Sequence, residues 1–179
     1  MKVELKKYFI YFMMYAIIGW IYEVFLEVVV YKWGFSNRGV LFGPYCVIYG
    51  FGALIFIFTL NSIMKYKGSK IFNIFKPLII FLLCALIATF IELTASYLLD
   101  FLTGSWPWQT YVDYNYNFQA RIALSPSIRF GLGGLLFLYV IQPLFEKILF
   151  KVGRESLNVV FYIFGLTLII DVMFTFFIL

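Results

Sequence analysis

The sequence predicts an all-α, polytopic transmembrane helix bundle of about five spans. Three observations predict it. Of 179 residues, 64% are hydrophobic and 13% charged, whereas soluble globular domains run at roughly 45–50% apolar and about 25% charged. Mean hydropathy is +0.95. The apolar residues fall in runs of about 20, the length that crosses a bilayer core as a helix. A single transmembrane domain over residues 1–179 is the expected organisation, with no room for a folded soluble domain. The net charge of +5 comes from 14 basic residues that are too few and too dispersed for a nucleic-acid groove. Nucleic acid is therefore not an expected partner; the lipid bilayer is.

The first span is expected from about Tyr8 to Tyr31, behind Lys2, Lys6 and Lys7. A signal peptide is the competing reading, but no A-x-A site follows, and Glu23 and Glu27 interrupt the cleavage region. The second span runs from about Tyr45 to Met64 and closes on Lys65, Lys67, Lys70 and Lys76; Pro77 is expected to start the third, which ends near Leu99. The fourth covers roughly Ser127 to Phe145, where Gly131, Gly133 and Gly134 allow close approach of a neighbouring backbone. A polar stretch from Glu146 to Ser156 precedes the fifth, Leu157 to Leu179. A hairpin in the third connection would raise the count to six.

Ten of the Lys and Arg residues fall on one side of this scheme: Lys2, Lys6 and Lys7, the four lysines after span two, and Lys147, Lys151 and Arg154. Lys32, Arg38, Arg121 and Arg129 fall on the other. The positive-inside rule then puts the N-terminus in the cytoplasm and the C-terminus outside it; the plasma membrane is the expected location.

The absence of histidine, with only two cysteines, removes zinc clusters, Cys–His nucleophile pairs, Ser–His triads and haem ligation by histidine. Cys46 and Cys84 are expected at different depths, as free thiols in packing roles. No cofactor is called for, and the sequence names no metal.

Four carboxylates lie inside the predicted spans: Glu23, Glu27, Glu92 and Asp171. Each costs about 2.5–3.5 kcal/mol at a helix centre on insertion scales, so such residues face a bundle interior or cavity. All four fall in the extracytoplasmic half, beside connections that supply Arg38, Asp113, Arg121 and Arg129. Residues three or four apart share a helix face, so Gly19, Glu23 and Glu27 form one stripe; Ala88, Glu92 and Ser96 belong to a second; Thr167, Asp171 and Thr175 form a third. Glu23, Arg38, Glu92, Asp113 and Arg121 are the candidate ligand- or ion-binding residues. Structural ion pairs are the alternative, with Asp171 and Glu27, near helix ends, the foremost structural members. The connection from Phe101 to Ser125 is long and carries Trp106, Trp108, Tyr111, Tyr114, Tyr116 and Phe118. An interfacial aromatic belt and a re-entrant lid over the charged layer both fit it.

The run Gly19-Trp20-Ile21-Tyr22-Glu23, the block Asn37-Arg38-Gly39 leading to Gly43-Pro44-Tyr45-Cys46, and Glu92 resemble the bacterial ABC-transporter type IV family, also called CmpB-like. The segment Trp108 to Arg121 is similar to its tryptophan, Asp-Tyr and Gly-Arg-Ile signature. Here Trp108 stands apart from Asp113-Tyr114, and Ala120 replaces the glycine before Arg121. The resemblance implies a transporter or permease-like subunit. No G-x-x-x-x-G-K-[ST] pattern occurs, so an ATPase would be a separate polypeptide; small size also invites a homo-oligomer. A membrane-embedded enzyme on lipid-linked substrates is the second reading, although no nucleophile motif supports it and a non-enzyme is expected. A structural or regulatory membrane scaffold is the third.

Overall fold

The computed structural model describes residues 3–177. It is all-α, with 79% of residues helical. Helix α1 spans Val3–Phe25 and continues as a π-helical turn, Leu26–Val30; α2 spans Val47–Lys65 and α3 Lys70–Thr103. A loop with a 3-10 turn (Gln109–Asp113) and a two-stranded hairpin, β1 (Asn117–Phe118) and β2 (Ile122–Ala123), leads to α4 (Leu124–Leu136). A second π turn, Phe137–Ile141, joins α4 to α5 (Gln142–Lys151), and α6 spans Arg154–Phe177. Five of these helical runs are long and apolar enough to cross a membrane, as the hydropathy predicts. Lys2 and the last two residues of the expected fifth span, 178–179, lie outside the described residues.

Two boundaries differ from the sequence reading. Pro77 does not start a span: α3 begins seven residues earlier, capped by the Ser69 hydroxyl, which accepts from the Phe72 amide. Proline removes one intrahelical hydrogen bond, a loss that membrane helices tolerate. Lys76, read from sequence as part of the connection, sits in α3 and donates from Nζ to the Tyr66 carbonyl at 2.5 Å, where a cation meets the negative end of α2. The polar stretch from Glu146 is likewise helical as far as Lys151, so the link to α6 shrinks to Val152–Gly153.

The chain forms two compact units, Met1–Ile55 with Leu144–Leu179, and Phe56–Pro143. In the first, Phe12, Met13 and Ala16 of α1 pack with Leu41 and Tyr45 of the following loop, flanked by Phe164, Leu168 and Val172 of α6. Gly19 leaves room for the Tyr49 ring, whose Cγ lies 2.3 Å from where a Cβ would stand. In the second, α4 packs on α3 through two of the three glycines singled out from sequence. Gly131 abuts Phe81 and Gly134 abuts Cys84, while Gly133 meets nothing. Ser127 accepts from Thr89 at 2.6 Å in the same seam. Both cysteines are free and buried.

Candidate functional site

In the first unit, two acids from different helices hold the loop between α1 and α2. Glu27 is 6% exposed. It accepts from the Ser36 amide (3.2 Å) and hydroxyl (2.7 Å) and pairs with Arg38 at 2.8 Å. Asp171 accepts from the amides of Phe42 (3.0 Å) and Gly43 (2.7 Å), from the Tyr45 hydroxyl and from Thr175. Burying a carboxylate costs several kcal/mol, and charge-assisted hydrogen bonds of about 1.5–3 kcal/mol each offset it. Trp20 adds a third tie, donating to Asn37 Oδ1 at 2.7 Å, and Asn37 donates to the Phe42 carbonyl at 2.9 Å.

The loop needs its glycines. Gly39 has φ +99°, and a Cβ on Gly43 would stand 2.3 Å from the Tyr45 ring. Burial and the Asp171 carboxylate push the Tyr45 phenol above its ordinary range, so it stays a donor. Burial, with Glu23 adding, pushes the Cys46 thiol up to about 11.

Glu23 is different. It is half-buried in α1 and takes its hydrogen bond from the Tyr49 hydroxyl, on the ring that Gly19 accommodates.

In the second unit, Glu92 is buried in α3, and its Oε1 accepts from Tyr111 of the aromatic loop at 2.6 Å. Tyr111 meets Tyr114 edge to face, and Tyr114 accepts from Arg129 at 2.6 Å. Arg121 is 8% exposed. Its guanidinium lies between the rings of Tyr97 (4.2 Å) and Trp106 (4.0 Å) and pairs with Asp100 at 2.5 Å. Its Nε and Nη1 are buried and have no hydrogen-bond partner among the described residues. The indoles of Trp106 and Trp108 donate to the Ala120 and Arg121 carbonyls, fixing the hairpin turn from the outside. Asp113 ends the 3-10 turn and is exposed.

Four of the five sequence candidates thus have separate partners, and the fifth is exposed. Arg38 meets Glu27, Glu23 meets Tyr49, Glu92 meets Tyr111, Arg121 meets Asp100, and Asp113 faces outward. Sequence reasoning missed Tyr45, Tyr49, Asp100 and the Trp20–Asn37 pair. Asp100 could have been found, since it follows Glu92 and Ser96 at intervals of four on the same helix face.

A family profile described as "Putative ABC-transporter type IV" matches residues 10–176. The chain belongs to this CmpB-like family. It is accordingly a multi-pass membrane protein related to ABC transporters. No curated protein and no solved structure matches it. The Asn-Arg-Gly to Gly-Pro block, which carries the family resemblance, is the loop pinned by Glu27 and Asp171. The Gly-Arg-Ile signature falls on the hairpin turn. There Gln119 and Ala120 both have φ +53° and the Arg121 amide donates to Phe118 at 2.9 Å, the sign pattern of a type I′ turn. Glycine suits that position for a backbone reason, and this chain places alanine there.

Proposed function

We propose that the chain is a small transporter or permease-like subunit of the plasma membrane that binds a polar solute or a coupling cation, with Glu23 the candidate carrier in the first unit and Glu92 in the second. The observation that carries this reading is the contrast among the four membrane acids. Glu27 and Asp171 are each surrounded by donors from a loop they anchor, whereas Glu23 is half-buried with a tyrosine hydroxyl as its hydrogen-bond donor. A span carboxylate held in place without being saturated suits proton or cation exchange. Glu92, held by Tyr111 of the aromatic loop, is its counterpart in the second unit, and that loop would act as a lid. Arg38 and Arg121 would balance the acids or meet an anionic group, and Asp113 would face the entering solute.

The distribution of Lys and Arg supports a cytoplasmic N-terminus. With no nucleotide-binding motif in the chain, energy coupling by ATP would come from a separate ATPase subunit, and a homo-oligomer would enlarge the interior that five helices offer.

The test is thermal stability of the purified protein across Na+, K+, Mg2+ and pH, comparing wild type with Glu23→Gln and Glu92→Gln. Stabilisation by a cation or by protons that disappears in the folded variants is expected. An identical response in all three proteins would overturn the proposal.

A further inference from the structure

The turn between α2 and α3, in the second unit, carries Lys65, Lys67 and Lys70, and the sequence holds no acidic residue between Glu27 and Glu92. All three lysines are exposed, and none makes an ion pair among the described residues. The turn that presents them is ordered from its inner side. Lys76 Nζ donates to the Tyr66 carbonyl at 2.5 Å, and Asn73 Nδ2 to the Gly68 carbonyl at 3.0 Å. The Tyr66 and Phe72 rings meet edge to face at 5.4 Å, and a Cβ on Gly68 would stand 2.8 Å and 2.7 Å from them. A surface already fixed in shape gives up little freedom on binding.

Depth follows from helix length. α2 has 19 residues, about 28 Å at about 1.5 Å per residue, which matches a hydrocarbon core of about 30 Å. Lys65, its last residue, therefore falls at the edge of the core. The link to α3 is only residues 66–69, so Lys67 and Lys70 stand in the headgroup layer, whichever way the chain is oriented. α3, with 34 residues and about 51 Å, is long enough to begin there and still cross.

Below Lys70 the surface of α3 turns apolar. Ile71, Ile74, Phe75 and Leu78 recur at the three- and four-residue spacing of one helix face, and each is more than half exposed. Ammonium groups at headgroup level above an apolar track complement an amphiphile with an anionic head. Lysine clusters beside a span attract anionic lipid by this chemistry.

We infer that the α2–α3 turn is a binding surface for anionic phospholipid, the phosphate accepting from Lys65, Lys67 and Lys70 and an acyl chain lying along Ile71, Ile74, Phe75 and Leu78. The surface uses none of the residues assigned to solute binding, so it stands or falls independently of the transport reading.

Native mass spectra of the full-length protein, released from nanodiscs holding equal phosphatidylglycerol and phosphatidylcholine of the same chains, test it. Wild type should retain phosphatidylglycerol over phosphatidylcholine by at least about fivefold, the effect of one lysine at a membrane surface. Lys65→Gln, Lys67→Gln and Lys70→Gln together should abolish the preference, and the same three changes to Arg should keep it. Lys147→Gln with Lys151→Gln, at another lysine-bearing helix end, should leave it in place. The three lysines have no ion partner to lose, and the single Gln variants, each lowering the preference in part, decide the matter if the triple variant fails to fold. No preference in wild type, an unchanged preference in the folded Gln variants, or its loss in the Lys147 and Lys151 control would overturn the site. Displacement of the lipid by millimolar glycerol phosphate would show that a free phosphate ester suffices, and would overturn the phospholipid assignment.

Discussion

The loop after α1 and the loop before α4 are both folded by buried charge, but with opposite signs. In the first, the buried charges are carboxylates on helices and the loop brings its backbone amides to them: Ser36 to Glu27, Phe42 and Gly43 to Asp171. In the second, Glu92 on α3 takes one tyrosine of the loop, Tyr111, but the turn itself is built around a buried cation, Arg121, to which the helix brings a carboxylate and a ring, Asp100 and Tyr97. Amide donors are available along any loop, so the acids of the first unit are well supplied with partners. A guanidinium has five donors in a fixed fork, and one carboxylate with two aromatic faces leaves Nε and Nη1 of Arg121 without hydrogen bonds among the described residues. The anionic arrangement is therefore the more rigid of the two, and the cationic one is better suited to rearrange.

The largest break in this comparison is expected from Asp171→Ala. It strands the Phe42 and Gly43 amides and the Tyr45 hydroxyl, and unsatisfied buried donors cost about 1–3 kcal/mol each. Thermal unfolding in nanodiscs should show a loss of at least about 3 kcal/mol. Asp171→Asn, which keeps one acceptor oxygen, should lose less.

Asp100→Ala should cost less again, about 1–3 kcal/mol, because Asp100 is 35% exposed and water can partly replace it. If Arg121 is there for packing alone, Asp100→Leu combined with Arg121→Met should recover most of the stability, since a hydrophobic pair often matches a buried ion pair. Recovery of stability without recovery of the cation response would separate folding from function in this loop.

Ala120→Gly is expected to stabilise the second unit by about 0.5–1 kcal/mol. Relief of a left-handed residue is worth about 1–2 kcal/mol, of which glycine's greater chain entropy removes part. The same unfolding measurement checks it, and no gain would mean that the turn relaxes around the alanine.

The smallest effect concerns Cys46, at the end of the first loop. With its thiol raised to about 11 by burial, it should be almost wholly protonated at neutral pH; at pH 8 about one molecule in a thousand would carry thiolate. Maleimide labelling should be negligible at pH 7 and rise about tenfold per pH unit toward 11. Because the folded pKa lies above that of a free thiol, protonated Cys46 favours the folded loop fully below about pH 8.5, and that contribution is lost as pH climbs through 11. Rapid labelling at pH 7 would mean that the loop opens despite its anchors.

Hydropathy by itself located the five runs that fold as helices long and apolar enough to cross a membrane, because the bilayer acts on each run of about 20 residues separately and no distant contact alters that sum. It also located the acids inside those runs, where an ionisable residue is costly wherever it packs. It misplaced the start of α3 at Pro77, because proline reads locally as a helix boundary while the membrane enforces the helix around it. Partners were not legible. Asp171 meets Gly43 across 128 positions and Tyr111 meets Glu92 across 19, and spacing along one helix carries no information about either. Glu23 and Glu27 stand one turn apart on the same face, and only the nearness of Glu27 to the helix end marked it from sequence as the structural member. The tertiary structure divides them, giving Glu27 a loop to hold and Glu23 a tyrosine, because only the folded loop decides which carboxylate its amides can reach.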